Sequence, residues 1–354
     1  MQPFSILHKP LNYNILTPLY IIILNYNSWK DTIECIEALL NSEFQDFQII
    51  LLDNNSPNNS ESKILEYFHG NIRPDISHPF FKNKLKIRSS GLPYIYFSIE
   101  DKLPNLNDID EKAVVNKATT IIHNPILFIQ TGKNLGFAGG NNVALKILLE
   151  SKLDDLTKVF LLNPDTFIES HALQKLSDFK EDFFISSCTI KSYDTPEEAG
   201  FSGSFRLKKP FGIIENLKDS GDIDYIYGGA LLTNLKTIRM IGIMPDNYFL
   251  YWEETDWCFN AKLQNVKLEV CKEAVVYDKV GTSTGRGYLA NYYFIRNGLI
   301  FYKKYLKTYM PSLLLYIGLR ILDKVRKGEL NSAKAMIHGA KDYYKGKEGF
   351  TPIS

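Results

Sequence analysis

Residues 19–56 read LYIIILNYNSWKDTIECIEALLNSEFQDFQIILLDNNS, and this stretch decides the fold class. Leu19 to Leu24 and Phe47 to Leu52 are continuous apolar runs of strand length, the pattern of parallel strands buried on both faces. Between them Ile33, Ile36, Leu39 and Leu40 recur at helical spacing across Ser28 to Asn41, with Ser28 placed as N-cap. Strand, helix and strand make a βαβ unit. A second unit follows, with Ile126 to Gln130 as strand, Asn141 to Ser151 as helix and Lys158 to Leu162 as strand. Polar clusters stand just past three of these strands: Asn25-Tyr26-Asn27, Asp53-Asn54-Asn55-Ser56 and Asn163-Pro164-Asp165-Thr166. Ligands of open α/β sheets bind beyond the carboxyl ends of the strands, so one crevice is expected to collect all three clusters.

The rest of the chain divides by composition. Residues 68–123 mix Pro, Asn and charge around the alternating stretch Pro93 to Ile99 and read as an insertion of modest structure. From Tyr292 onward the pattern is helical, with Pro311 separating two segments and a final helix over Asn331 to Tyr344. The expected division is a tail over 1–17, an α/β domain over 18–290 and a helical region over 291–354.

Whole-chain composition excludes several functions. With 41 Lys+Arg against 40 Asp+Glu, the 354-residue chain has no global field for nucleic acid, and 45% hydrophobic residues is too many for disorder. Cys35, Cys188, Cys258 and Cys271 show neither CxxC spacing nor a neighbouring pair of histidines, so reduced core thiols are expected. The first ten residues lack a signal-peptide run, and Leu313 to Leu322 is interrupted by Gly318 and Arg320, so the expected location is cytoplasmic. The one skew is aromatic, at 13%, which suits either a well-packed core or surfaces that meet sugars and bases.

Each chemical candidate has a plain structural alternative. Asp53 at a strand end can accept from a base or ribose, or can simply close an Asx-turn. Asn134-Leu-Gly136-Phe-Ala-Gly139-Gly140-Asn141-Asn142 is a small-residue turn leading into a helix, suited to backbone approach by a phosphate, but it lacks the GxGxxG fingerprint. Asp165 could hold a divalent cation against a diphosphate, since Mg²⁺ and Mn²⁺ take few protein carboxylates and complete their shell with phosphate and water; the alternative is an ordinary Pro turn. Tyr251 to Trp257 (YWEETDW) packs three acids and two Trp into seven residues, and apolar walls make a carboxylate more basic. Acids at a helix start are also favoured by the macrodipole alone.

In order, the motifs IIILNYNS, LLDNNS, KNLGFAGGNN, LLNPDT, YGGALLTNLKTIRMIGIMPDNYFLYWEETDWCFNAKLQNVKL and YYFIRNGLIFYKK resemble glycosyltransferase family 2, nucleotide-sugar enzymes of GT-A fold, and most closely its bacterial rhamnosyltransferase-like branch. The resemblance implies a Rossmann-like, mostly parallel sheet flanked by helices. It also implies that Asn25, Tyr26, Asp53 and Asn55 meet the donor's base and ribose, while Asn134, Gly136, Gly139, Asn141 and Asn163 shape the wall around ribose and diphosphate. Asp165 would coordinate a divalent cation, Mg²⁺ or Mn²⁺, with Asn163 in the first place of the family's acidic pair. Gly228 and Gly229 would floor the site, Trp252, Glu253 and Trp257 would line it, and Arg296 and Asn297 would brace the diphosphate or the acceptor loop. The family's Glu-Asp pair reads Glu253-Glu254 here, making Glu254 the expected base with Asp256 as the second choice. The family's His-x-x-Gly-x-Ser stretch reads Asp278-Lys279-Val280-Gly281-Thr282-Ser283, which puts an Asp where a His would stand as metal ligand.

The implied reaction is inverting transfer from a dTDP-rhamnose-like donor or a UDP-sugar to a glycan or lipid-linked glycan, in synthesis of capsule, lipopolysaccharide or another bacterial surface polysaccharide. A nucleotide-sugar-forming nucleotidyltransferase and an inactive sugar- or nucleotide-binding subunit stand as alternatives. No nucleic-acid partner is expected. The basic, aromatic stretch from Arg296 to Lys327 suggests peripheral contact with the inner face of the cytoplasmic membrane, and a homodimer is compatible with the same reading.

Overall fold

The computed structural model describes residues 18–76, 78–87, 91–99, 104–109, 114–115, 124–218, 221–279 and 287–352. Its centre is a nine-stranded sheet. In chain order the strands are β1 (Leu19–Asn25), β2 (Phe47–Asp53), β3 (Tyr94–Ser98), β4 (Ile126–Gln130), β5 (Lys158–Leu162), β6 (Thr166–Ile168), β7 (Phe184–Ser192), β8 (Ser204–Lys208), β9 (Ile213–Asn216), β10 (Tyr225–Ile226), β11 (Ala230–Asn234) and β12 (Lys267–Asp278). The large sheet runs β3-β4-β2-β1-β5-β11-β7-β12-β6, and β8 to β10 form a small separate sheet. Strands β3, β4, β2, β1 and β5 are mutually parallel, while β11 is antiparallel to both of its neighbours.

Period-two geometry explains why β1 is apolar throughout. Leu19, Ile21 and Ile23 face a core shared with helices α1 (Trp29–Leu40), α2 (Ser60–Phe68) and α5 (Ala172–Ser177). Tyr20 and Ile22 face the opposite core, built with α4 (Gly136–Glu150), α6 (Leu235–Ile241) and α7 (Glu253–Leu263). A sheet covered on both sides needs apolar residues at every position, which is the observed run. All four cysteines are free and buried in these cores.

Three local expectations change. Ser28 does precede α1, but its hydroxyl donates to the Tyr26 carbonyl instead of capping the helix. The glycine-rich stretch is not a turn ahead of a helix beginning at Asn141; it is the first turn and a half of α4, because a Cβ on Gly140 would lie 2.5 Å from Leu24 and only a bare helix face can sit that close to β1. Within 68–123, β3 pairs in parallel with β4 as an edge strand, and the short α3 (Pro79–Lys82) inserts Phe81 into the core, stacked on Tyr193 at 4.2 Å. The segment therefore contributes to the sheet and its core.

The C-terminal helices α8 (Tyr288–Tyr305), α9 (Met310–Arg326) and α10 (Leu330–Tyr344) build a third core with Leu207, Tyr248 and Trp252. Among the described residues no helix is long and apolar enough to cross a membrane. Gly339 of α10 lies directly on α8: an added Cβ would stand 2.4 Å from the Tyr292 carbonyl. Backbone cannot yield there as a side chain can, so Gly339→Val is expected to cost about 2 kcal/mol or more and to lower the thermal midpoint by several degrees. An unchanged midpoint would show that α10 does not pack on α8 in this way.

Candidate active site

The strand ends meet as the sequence suggests. Asn25 pairs in register with Asp53, and Asp53 with Gln130, so three parallel strands end on one line. Next to β1, β5 ends in the Asn163-Pro164-Asp165 turn, which Thr166 closes by donating to the Asn163 carbonyl at 2.6 Å. The crevice thus lies at the switch point, where successive units wind to opposite sides of β1.

On the β1–β2 side the polar cluster is closed on itself. Asp53 is fully buried and accepts from Asn25 Nδ2 (2.6 Å), Ser56 Oγ (2.6 Å), the Ser56 amide (3.0 Å) and Gln130 Nε2 (3.0 Å). Two oxygens offer about four acceptor positions, so the carboxylate is saturated. Asn25, equally buried, also accepts from Thr32 Oγ1 at 2.8 Å. Both residues set the shape of the rim. The groups this cluster leaves exposed are Tyr26, Asn27 and Asn55, the two asparagines at φ 63° and 53°, a left-handed conformation that Asn tolerates. Gln130 Nε2 also donates to Glu61 at 2.7 Å, and Glu61 accepts from Tyr96 at 2.6 Å. Gln130, Glu61 and Tyr96 are rim residues that motif reading passes over because they lie outside any motif.

The first amides of α4 are occupied too. The Leu135 amide donates to Asn54 Oδ1 (3.0 Å), that of Gly136 to Asn134 Oδ1 (2.9 Å) and that of Phe137 to the Phe249 carbonyl (2.9 Å). Asn141 is buried and donates back to the Phe137 carbonyl, while Gly139 is partly exposed. These residues shape a wall; their amides are not turned to a phosphate. Gly136 has φ 74°, and a Cβ there would lie 2.2 Å from the Phe249 carbonyl oxygen, so this turn is moulded to the loop before α7.

Across the crevice three acids converge. Asp278 ends β12 opposite Thr166, and the Lys279 amide donates to the Asp165 carbonyl at 3.1 Å. Tyr227 donates its hydroxyl to Asp278 and feels the charges of Asp278, Asp165 and Glu254, which hold its phenol well above its ordinary pKa after burial has already raised it. Burial, with the Asp165 charge behind it, pushes Asp278 up to about 7 against the opposing Tyr227 hydrogen bond. Burial likewise pushes Glu254 up to about 7, opposed by the amides of Glu254 and Thr255 at the start of α7. Glu253 is driven higher still by burial and the Glu254 charge, and its Oε2 is buried with no hydrogen-bond partner. Gly228 lies beneath Glu254: its Cβ would be 3.5 Å from the Glu254 side chain and equally far from Phe137. The Gly229 carbonyl accepts from the Asn163 amide at 2.9 Å, tying this floor to the β5 turn.

Four sequence candidates fall elsewhere. Asp256 is buried and accepts from Tyr248 (2.7 Å), Tyr305 (2.8 Å) and Lys304 (2.8 Å), an ion-pair network joining α7 to α8. Two positions beyond Glu254, it points to the other side of the helix. Trp257 is a core residue whose indole donates to the Gly242 carbonyl. Trp252 is buried against Phe294, Phe301 and Tyr302. Arg296 is fully buried, donating to the carbonyls of Tyr248 and Gly349 and to Thr351 Oγ1, so it reaches the loop before α7 and not a surface for diphosphate. Val280 to Ser283 lie outside the described residues.

A two-carboxylate pair suits Mg²⁺ or Mn²⁺ when substrate phosphate completes the shell. Asp165 and Asp278 form such a pair, and their mutual repulsion in a buried setting is what a cation would relieve. Among the described residues no group of three or more His, Cys, Asp or Glu could hold a metal unaided.

A family model described as glycosyl transferase family 2 matches residues 20–83, which carry β1, α1, β2 and the Asn25–Asp53 rim. Over that segment the chain is similar to glycosyltransferase family 2. A hexosyltransferase of low-salt glycan biosynthesis, Agl10 of Haloferax volcanii, is 27% identical over 162 residues, 42% of this chain and 50% of that protein. The chain thus spans about half the length of the curated relative it matches. Among solved structures, GalNAc-T7 with UDP, GalNAc and Mn²⁺ aligns at TM-score 0.50 and 11% identity, over 81% of this chain and 51% of that one. The mannosyltransferase PcManGT of Pyrobaculum calidifontis, in complex with GDP-Man and Mn²⁺, aligns at TM-score 0.49 and 9% identity over 97% and 92%. The sheet and its flanking helices are those of the GT-A fold.

Asn297, expected with Arg296 to brace the diphosphate or the acceptor loop, holds the loop that leads to the two glutamates. Its Nδ2 donates to the carbonyls of Tyr248 (2.8 Å), Leu250 (2.7 Å) and Tyr251 (3.1 Å). Asn297→Ala leaves the Tyr248 carbonyl to Arg296 but strands the part-buried carbonyls of Leu250 and Tyr251, and is expected to cost about 1–3 kcal/mol, read as a lower denaturation midpoint. Near wild-type stability would mean that the loop holds its shape without the amide.

Proposed function

We propose that this chain is a family 2 glycosyltransferase, inverting and metal-dependent, that moves a hexose from a nucleoside-diphosphate sugar to a glycan hydroxyl. The observation that carries the reading is the convergence of Asp165, Asp278 and Glu254 around Tyr227 at the carboxyl edge of the sheet. A sugar hydroxyl is a poor nucleophile at neutral pH, and a carboxylate poised near 7 can take its proton as the new bond forms. Glu254 is that base. The acceptor oxygen attacks the anomeric carbon, the bond to the diphosphate oxygen breaks, and Glu254 keeps the proton. One displacement from the face opposite the leaving group inverts the centre, with no covalent enzyme intermediate.

Asp165 and Asp278 would hold the divalent cation, whose chemistry is stabilisation of the negative charge gathering on the departing diphosphate. Tyr227 positions Asp278, Gly228 and Gly229 floor the pocket beside Glu254, and Asn163 flanks the diphosphate. Tyr26 and Asn55 are the rim groups open to the donor's base and ribose. The curated relative is a hexosyltransferase of glycan biosynthesis, which supports a hexose as the transferred group. For the donor, dTDP-rhamnose-like or UDP-sugars remain the proposal, and for the acceptor a surface polysaccharide or lipid-linked glycan, with peripheral contact at a membrane part of the same reading.

The pH dependence follows from the raised carboxyl of Glu254. As a base it must be ionised, so kcat/KM is expected to rise with pH and level off above about 7, and Glu254→Gln to lose about 100-fold or more and the inflection with it. Its folded pKa exceeds the ordinary carboxylate value, so the folded state holds the proton more tightly, and stability falls as pH rises from the ordinary value through about 7. Glu254→Gln should therefore raise the thermal midpoint more at pH 8 than at pH 5. A variant that keeps full turnover would remove Glu254 from the reaction.

Asp165→Ala tests the cation site. Calorimetry with UDP or dTDP and Mn²⁺ is expected to show binding weakened about ten-fold or more, and the dependence on Mn²⁺ lost. Cation-dependent binding of undiminished strength would assign the ion to other residues.

A further inference from the structure

Helices α9 and α10 are amphipathic on both sides, which a globular core does not require. Leu313 and Ile317 anchor α9 in the third core. On the opposite face Leu315, Leu319 and Leu322 are 66%, 56% and 65% exposed, and Arg326 continues the same row. The spacing i, i+4, i+7, i+11 makes one stripe. Ala333, Ala335, Met336 and Gly339 bury the inner side of α10, while Leu330, Ile337 and Tyr344 stand 54%, 51% and 68% exposed at seven-residue intervals. Lys334 and Lys341 lie in the same row between them.

Charge completes the surface. Between Lys303 and Lys347 there are eleven Lys and Arg against three acids, a net +8 in a chain whose total is +1. Those three acids are spoken for inside the segment: Asp323 by Lys327 at 2.7 Å, Glu329 by Lys324, and buried Asp342 by Lys347 at 3.1 Å. Two expected membrane contacts drop out, since Arg296 is buried and Lys304 is bound to Asp256.

Exposed leucines with interspersed lysines and no free acid are the composition of a helix that lies in a lipid interface, apolar side chains among the acyl chains and cations on the phosphates. A second copy of this chain fits poorly, because the same lysine rows would face each other across a two-fold axis. We propose that the outer faces of α9 and α10 seat the protein on an anionic bilayer. The proposal is read without sugar transfer, so its failure and that of the transferase reading are separable.

The test is sedimentation of the full chain with vesicles of phosphatidylcholine containing phosphatidylglycerol, against phosphatidylcholine alone, at low and high salt. Binding is expected to the anionic vesicles only and to weaken with salt. Leu319→Glu with Leu322→Glu should lower partitioning about ten-fold or more, and Lys334→Glu with Lys341→Glu about twenty-fold or more, since each cation near the surface multiplies binding about five-fold. All four side chains are exposed, so circular dichroism and the thermal midpoint should stay as in the wild type. Should the leucine pair disturb folding, the lysine pair still decides. Absence of binding at low salt, or binding unchanged in both variants, overturns the proposal. So does a wild-type dimer in sedimentation velocity that the leucine pair dissociates with vesicle binding intact, which would assign the face to a second copy.

Discussion

The loop from Tyr248 to Trp252 is held in a conformation it would not keep alone, and the candidate chemistry depends on that hold. Phe249, Tyr251 and Trp252 sit at φ 69°, 65° and 78°, in a region that costs non-glycine residues of order 1–3 kcal/mol each. Compensation comes from α8. Asn297 and Arg296 donate to the carbonyls of Tyr248, Leu250 and Tyr251, while the Trp252 indole donates to the Phe294 carbonyl at 3.0 Å. From the other side the Phe137 amide takes the Phe249 carbonyl, where only Gly136 allows the approach. The loop delivers Glu253 and Glu254 at the first turn of α7, so the candidate base is aimed by a helix about forty residues further along the chain. A helical region expected as a separate C-terminal unit is therefore structurally part of the site.

Much of the fold was legible because of one physical regularity. A parallel strand covered on both faces must be apolar throughout, and β1, β2, β4 and β5 announce themselves that way. Strand β3 was harder, since an edge strand with exposed Tyr96 alternates and sits among Pro and Asn. The short antiparallel strands after β5 have no comparable signature. Within the site, acids at strand ends and at a helix start were legible by position. What the sequence could not show is direction: α7 has no clean apolar stripe, so nothing in EETDWCFNAKL tells which way Trp257 or Asp256 points. The aromatic skew misled for the same reason. Trp252 and Trp257 are large, flat and next to acids, yet both are buried, and the aromatics left at the rim are Tyr26 and Tyr96. Likewise Asn25 and Asp53 stand where a donor's base would arrive but spend their hydrogen bonds on each other and on Ser56 and Gln130.

The electrostatics of the crevice oppose stability. Three carboxyls are raised by burial, and each that ionises at neutral pH in the folded chain would do so more easily in the unfolded one. Folding therefore works against these groups, while elsewhere the same protein satisfies its buried acids thoroughly: Asp53 has four donors, and Asp256 has two tyrosines and a lysine. The contrast separates the two kinds of acid more sharply than motif position does. A saturated carboxylate is fixed and inert; a carboxyl raised by burial is unfinished, and a cation, a phosphate or an acceptor hydroxyl can complete it.

That distinction also predicts how ligands should act on the fold. A cation bound between Asp165 and Asp278 would offset the burial and the Asp165 charge that raise Asp278, so binding there would return part of the stability these groups cost, by mass action on the folded state alone. Asp165 follows the end of β5 and Asp278 ends β12, strands that are three apart in the sheet, joined here by the short antiparallel pairing of β6 with β12. Relief of charge at this point would act where the turn after β5 meets the end of β12. The candidate site is in this sense an interface within the fold, left electrostatically incomplete by the chain itself.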